Sequence, residues 1–134
     1  MTSLATLPGF ITHFLAGLVL LGLAVFVHMK ATPHDEMALI RRGNTAAAVA
    51  LSGTVLGFAI PLTSAIANSA NLLDAAVWGV IALLAQIGAW FAVARLLGSA
   101  HAEAMEEEGA MARAVVKAAV AVAVGALNAG AMST

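Results

Sequence analysis

Cysteine is absent, and charged residues make up only 10% of the 134 positions. The first absence excludes disulfides, thiol catalysis and cysteine-ligated zinc or iron–sulfur centres. The second excludes an ordinary soluble domain, in which about 25% of residues are charged. Six Lys and Arg against seven Asp and Glu leave a net charge of -1, so no basic face is available for nucleic-acid phosphates. Catalytic signatures are missing as well. There is no Gly-x-Ser-x-Gly elbow, no phosphate-cradling Gly-Lys-Ser/Thr loop and no pair of carboxylates within an apolar run. The expectation is a chain without enzymatic activity, cofactor or bound metal.

What the chain has instead is apolar length: 62% of its residues are hydrophobic. They gather in four segments, 10–27, 45–67, 75–97 and 110–132, separated by polar stretches. Each has roughly 18–23 residues, enough at 1.5 Å per residue to cross about 30 Å of hydrocarbon. A span in lipid must satisfy its own backbone, which a helix does within one segment. The expected fold is all-α: a polytopic membrane protein of four transmembrane helices forming one membrane domain over residues 1–134. The first nine residues carry no Lys or Arg, so segment one is read as a retained span rather than a secretory signal.

Charge placement predicts orientation. Lys30, Arg41 and Arg42 flank the first connection, and Arg95, Arg113 and Lys117 the third, while the termini and the second connection hold no cation. The positive-inside rule then places both longer connections in the cytoplasm and both termini outside it. Trp78 suits an outer interfacial anchor; Trp90 lies deeper and calls for a packing partner.

The halves also resemble each other. A displacement of 66 residues aligns Gly43 with Gly109, Ala46 with Ala112, Ala48 with Ala114 and Val49 with Val115. A two-helix unit returns the chain to its starting side, so its copy has the same orientation. Two parallel two-helix repeats, 9–67 and 75–132, are expected; chance alignment of Ala/Val-rich helices is the alternative.

Polar residues within the spans are the functional candidates. At 100° per residue, Glu106, Arg113, Lys117 and Asn128 fall within about 60° on one face of the last helix. They either line a path for ions or solutes or, for the two cations, snorkel to the interface. Gln86, mid-way along the third span, is expected to bond a neighbouring helix, and Asn44 either caps the second span or bonds across helices. Gly53-x-x-x-Gly57 allows close helix approach, within a protomer or between copies. Pro61 removes a donor and is expected to kink its helix or act as a hinge, with Thr63 and Ser64 covering the freed carbonyls. His13 is expected to be a hydrogen-bonded interface residue rather than a proton relay.

The connections carry the remaining charge. Thr32-Pro33-His34-Asp35-Glu36 reads as a helix start running through Leu39 and Ile40 into the second span. His34, Glu36, His101 and Glu108 are nitrogen and oxygen donors, but their spacing matches no metal motif. Glu36, Arg41, Arg42, Glu106, Glu107 and Glu108 are candidate contacts for a cytoplasmic protein partner.

Several of these residues resemble a known family. Glu36-x-x-Leu39-Ile40-Arg41-x-Gly43-Asn44-x-Ala46-Ala47-Ala48 and Gly57-Phe58-Ala59-x-Pro61-Leu62-x-Ser64-Ala65-Ile66 are similar to the first repeat of the YjfL-like inner-membrane family, domain of unknown function number 350. Asp74-x-x-x-Trp78 and Ala82-Leu83-x-x-Gln86 resemble its third helix, and Gly125-x-Leu127-Asn128-Ala129-Gly130-Ala131-Met132 its closing signature. The sequence departs from the family at Ala110, where Asn is expected, and at Arg113 and Lys117. The resemblance implies tandem two-helix repeats in the bacterial inner membrane and an association of some members with envelope stress; it implies no biochemical activity. Two functions follow as expectations: a homo-oligomeric conduit for ions or small solutes, or a non-conducting scaffold for a stress-response partner.

Overall fold

The computed structural model describes residues 4–31, 36–97 and 110–132, all in or between helices. A 3-10 turn over Leu4–Thr6 leads into α1, Leu7–Ala31; a short α2, Glu36–Arg41, precedes α3, Thr45–Ala67; α4 is Leu72–Leu97 and α5 is Ala110–Met132. Four helices, α1, α3, α4 and α5, are long and apolar enough to cross a membrane.

The helix ends follow from their caps. Asn71 Oδ1 accepts from the Asp74 amide at the start of α4, and Asp74 Oδ2 accepts from the Ala70 amide at 2.9 Å, so one helix-terminal donor and one turn donor are satisfied. The expected helix does not run unbroken through Leu39 and Ile40 into the second span, and its expected start at residues 32–35 lies outside the described residues. Gly43 adopts φ 85, its amide donates to Ile40 O and the Asn44 amide to Leu39 O, the paired bonds of a glycine-terminated helix. Asn44 then starts α3, its Oδ1 accepting from the Ala47 amide at 3.0 Å. The apolar run Leu39-Ile40 does not carry the helix through, because the turn at Gly43 ends α2 and Asn44 starts α3 afresh.

Helices α3 and α5 make the most extensive helix–helix contact in the bundle and run side by side in the same direction. A Cβ on Gly53 would meet the Ala118 backbone at 2.3 Å, and one on Gly57 would meet Ala121 O at 2.7 Å. Further along, Ser64 Oγ donates to Ala129 O at 2.9 Å. Residue numbers rise together along both helices, so the Gly53-x-x-x-Gly57 pair lies within the protomer, against α5. Gly125 completes the approach: its Cβ would stand 2.6 Å from Gly57 O. Helix α4 runs the opposite way across this pair, and α1 packs on α3 and α4 at the edge, where Ala24, Phe58 and Leu83 form an apolar core.

Pro61 sits fully buried within α3, which remains helical through it. Its missing donor is the one that would reach Gly57 O four residues back. Thr63 and Ser64 do not cover that carbonyl as expected. Thr63 Oγ1 donates to Ala59 O and Ser64 crosses to α5, so Gly57 O is instead covered by the close approach of Gly125.

Candidate functional site

Buried polar residues converge where α3, α4 and α5 meet. Lys117 is only 9% exposed, Gln86 4%, and Thr54 is also buried. These three, with Phe58, Ala89, Trp90, Val120, Ala121 and Val124, line a chamber of about 20 Å³. That volume is enough for one water molecule, which needs about 10–15 Å³ and two to four polar partners. Gln86 Nε2 donates to Ala121 O at 2.8 Å, and because a carbonyl can only accept, this bond fixes the amide orientation. Gln86 Oε1 therefore faces away, buried and with no hydrogen-bond donor. Thr54 Oγ1 donates to Ala50 O at 3.1 Å, which leaves its lone pairs able to accept.

A second polar space opens towards the connection between α3 and α4. Asn68, Ser69, Asp74, Trp78, Ile81 and Asn128 are among the residues that line this recess of about 450 Å³. On α5, Val124 lines the chamber and Asn128 the recess, four residues or about 6 Å of helix apart. The barrier between them is short and tightly closed. Asn128 Nδ2 donates to Ala82 O at 2.9 Å, and buried Pro61, Leu62, Ala82 and Leu83 fill the same level.

The chamber wall explains Trp90 and introduces a residue that sequence reasoning passed over. His28, near the end of α1 and 4% exposed, packs edge-on against Trp90 with ring centroids 4.6 Å apart and against Phe58 at 6.2 Å. Its position beside Lys30 and the polar connection makes it look like an interfacial residue; the deeper Trp90 was the available signal that a ring partner was needed. His13, by contrast, is half-buried and bonds back within its own helix, its ring nitrogen 2.8 Å from Gly9 O.

The sequence-selected polar residues are thus brought together selectively. Lys117 and Gln86 share the chamber. Lys117 is buried and Arg113 is half-buried one turn away on the same helix. Asn128 bonds α4 and borders the recess, while Asn44 caps α3 at the α2 end of the bundle. Arg41 and Arg42 are exposed there. Glu106, Glu107, Glu108, His34 and His101 lie outside the described residues, and the Glu36 side chain is likewise not described. Among the described residues no group of three His, Asp or Glu side chains could hold a metal ion.

The family described as Domain of Unknown Function (DUF350) matches residues 1–132. The chain belongs to this family. It is 43% identical over 84 residues to the UPF0719 inner membrane protein YjfL of Escherichia coli strain K12, and equally to that of strain O157:H7. The matched region is 63% of this chain and 64% of each relative's length. No solved structure matches. The four candidate spans and this kinship make the chain an inner-membrane protein of an uncharacterised family.

Proposed function

We propose that the protein is a conduit for ions or small solutes across the inner membrane, with its path inside each protomer along the α3–α4–α5 seam. The observation that carries this reading is the small, largely apolar chamber that brings buried Lys117 and Gln86 together, about one helical turn from a polar recess. Ionisable residues within spans usually face protein or a water-filled path and mark routes for ions and protons. This placement differs from a pore at a symmetric interface, because Gln86 and Asn128 bond inside the protomer. Homo-oligomers would set such paths side by side.

All six cations cluster at the two longer connections, so the α2 end faces the cytoplasm and both termini lie outside it. The common direction of α3 and α5 supports two parallel repeats. Ser64 and Ala129 are 65 residues apart, close to the displacement of 66 that aligns the halves.

Purified protein in vesicles of phosphatidylethanolamine and phosphatidylglycerol should pass a charged species above the protein-free level. Absence of flux for protons, potassium and chloride alike would sink the proposal. A scaffold role remains the second reading, favoured by the exposure of Arg41 and Arg42 at the α2 end. Charge reversal there should abolish partner capture and leave flux unchanged.

A further inference from the structure

The polar side chains of the recess beside the α3–α4 connection have spent most of their donors. Asn68 Nδ2 donates to Ser64 O at 2.9 Å and lies 3.2 Å from Ser64 Oγ, so its amide has Oδ1 left to offer. Asn128 Nδ2 is held by Ala82 O, which likewise leaves Oδ1. The Ser69 hydroxyl proton goes to Ile66 O and leaves its lone pairs. Asp74 accepts one amide bond on Oδ2, and an ionised carboxylate has about four acceptor sites. All four residues line the recess, and none of the six Lys and Arg does. Helices α3 and α5 both end at it, each bringing roughly half a negative charge from its last carbonyls. The N-terminus of α4 lies there with the opposite sign, but its roughly half charge does not cancel a carboxylate and two negative ends. The recess favours a cation and repels an anion.

Size and lining choose among cations. A space of about 450 Å³ is far larger than a bare metal ion, and Asp74 is the one carboxylate among its described lining residues. Calcium takes about six to eight oxygen ligands, which this set does not supply closely packed. A quaternary ammonium has no N–H for the acceptors and is recognised by cages of several aromatic rings, whereas the ring here is Trp78 alone. A primary ammonium donates three hydrogen bonds, and its carbon stem suits the apolar side formed by Trp78, Ile81 and Met132. We propose that the recess binds a primary ammonium group, carried by a lipid headgroup or by a free amine. Asp74 is its charge partner, and the remaining oxygens of Asn68, Ser69 and Asn128 are its further acceptors. The site goes beyond the conduit reading and stands whether or not the seam conducts.

The test uses the full chain in nanodiscs of phosphatidylcholine, which contain no primary amine and leave both membrane faces accessible. The readout is the NMR resonance of the Trp78 indole N–H, assigned with Trp78→Phe. Ethylammonium chloride should shift it saturably, with half-saturation on the order of millimolar. Tetramethylammonium chloride and calcium chloride at the same ionic strength should not. Asp74→Asn keeps an oxygen for the Ala70 amide and should raise the half-saturating concentration about tenfold. Adding phosphatidylethanolamine to the disc separates the two sources. A headgroup occupant shifts the resonance by itself and raises the ethylammonium needed; a free-amine site titrates as before, and either result supports the proposal. No saturable shift with ethylammonium, an equal shift with tetramethylammonium or calcium, or a folded Asp74→Asn protein that titrates like wild type overturns it. Selectivity among the three salts is read on wild-type protein, so it decides the matter even where Asp74→Asn fails to fold.

Discussion

Helices α1 and α3 are both long and apolar, but the bundle uses them in opposite ways. Among its described side chains α1 buries only Ala24 and His28, against nine buried residues along α3. α1 carries Phe10, Phe14, Leu15, Leu18, Val19 and Leu23 on exposed surface, whereas the buried positions of α3 include Ala46, Ala47, Gly53, Thr54 and Gly57. In lipid the large apolar side chain gains nothing by leaving the membrane for the protein, so it need not mark the core. Close backbone approach, small residues and interhelical hydrogen bonds hold the helices together. A reading that equates hydrophobic with buried would invert the architecture of this bundle.

The sharpest way to break the contrast is to put bulk on the small-residue side. Gly53→Val drives side-chain atoms into the Ala118 backbone and should destabilise the bundle by about 3 kcal/mol. Reversible unfolding in bicelles would measure it, and a near-neutral value would mean that α3 and α5 are not in contact there. Gly43→Ala forces a side chain into a left-handed backbone and should cost about 1 kcal/mol in the same assay. Asn128→Leu removes the bond to Ala82 O and should cost about 0.6–1.7 kcal/mol, the range of single interhelical bonds in membranes. On the proposed conduit reading that bond lies between chamber and recess, so the variant should conduct no more slowly than wild type in the vesicle assay. At the small end, Leu18→Ala on the exposed face of α1 should change stability by no more than about 0.5 kcal/mol. A large loss there would show that α1 is covered by protein.

The spans and the breaks between them were legible in the sequence because each depends on a long-range excess of apolar residues that the bilayer thickness demands. Close approach at Gly53 and Gly57 was legible as spacing, but which helix would fill it was not, since every neighbour is rich in alanine. Gly125 lay within a recognisable signature, yet its role depends on Pro61 freeing the carbonyl of Gly57, a coupling between two helices. The turn at Gly43 and Asn44 had its own local signal, a glycine followed by a capping residue, and the adjacent Leu39 and Ile40 masked it by extending the apolar pattern. Lys117 and Gln86 were evident as polar residues in spans. Their meeting in one chamber depends on the antiparallel register of α4 against α5, which periodicity does not encode. His28 was hidden by its place next to charged residues, although its ring packs inward.

The central claim is that α3 and α5 lie side by side in the same direction, enclosing polar groups against α4. The absence of cysteine makes this directly testable, because any introduced pair is unambiguous. Ala46→Cys with Ala114→Cys, and Ser64→Cys with Ala129→Cys, place thiols at matching levels at either end of the helix pair. Mild oxidation in membranes should cross-link both pairs within one chain, and the mismatched combination of Ala46→Cys with Ala129→Cys should remain unlinked. Cross-linking of the mismatched combination while both matched pairs stay reduced would mean an antiparallel arrangement and contradict the account.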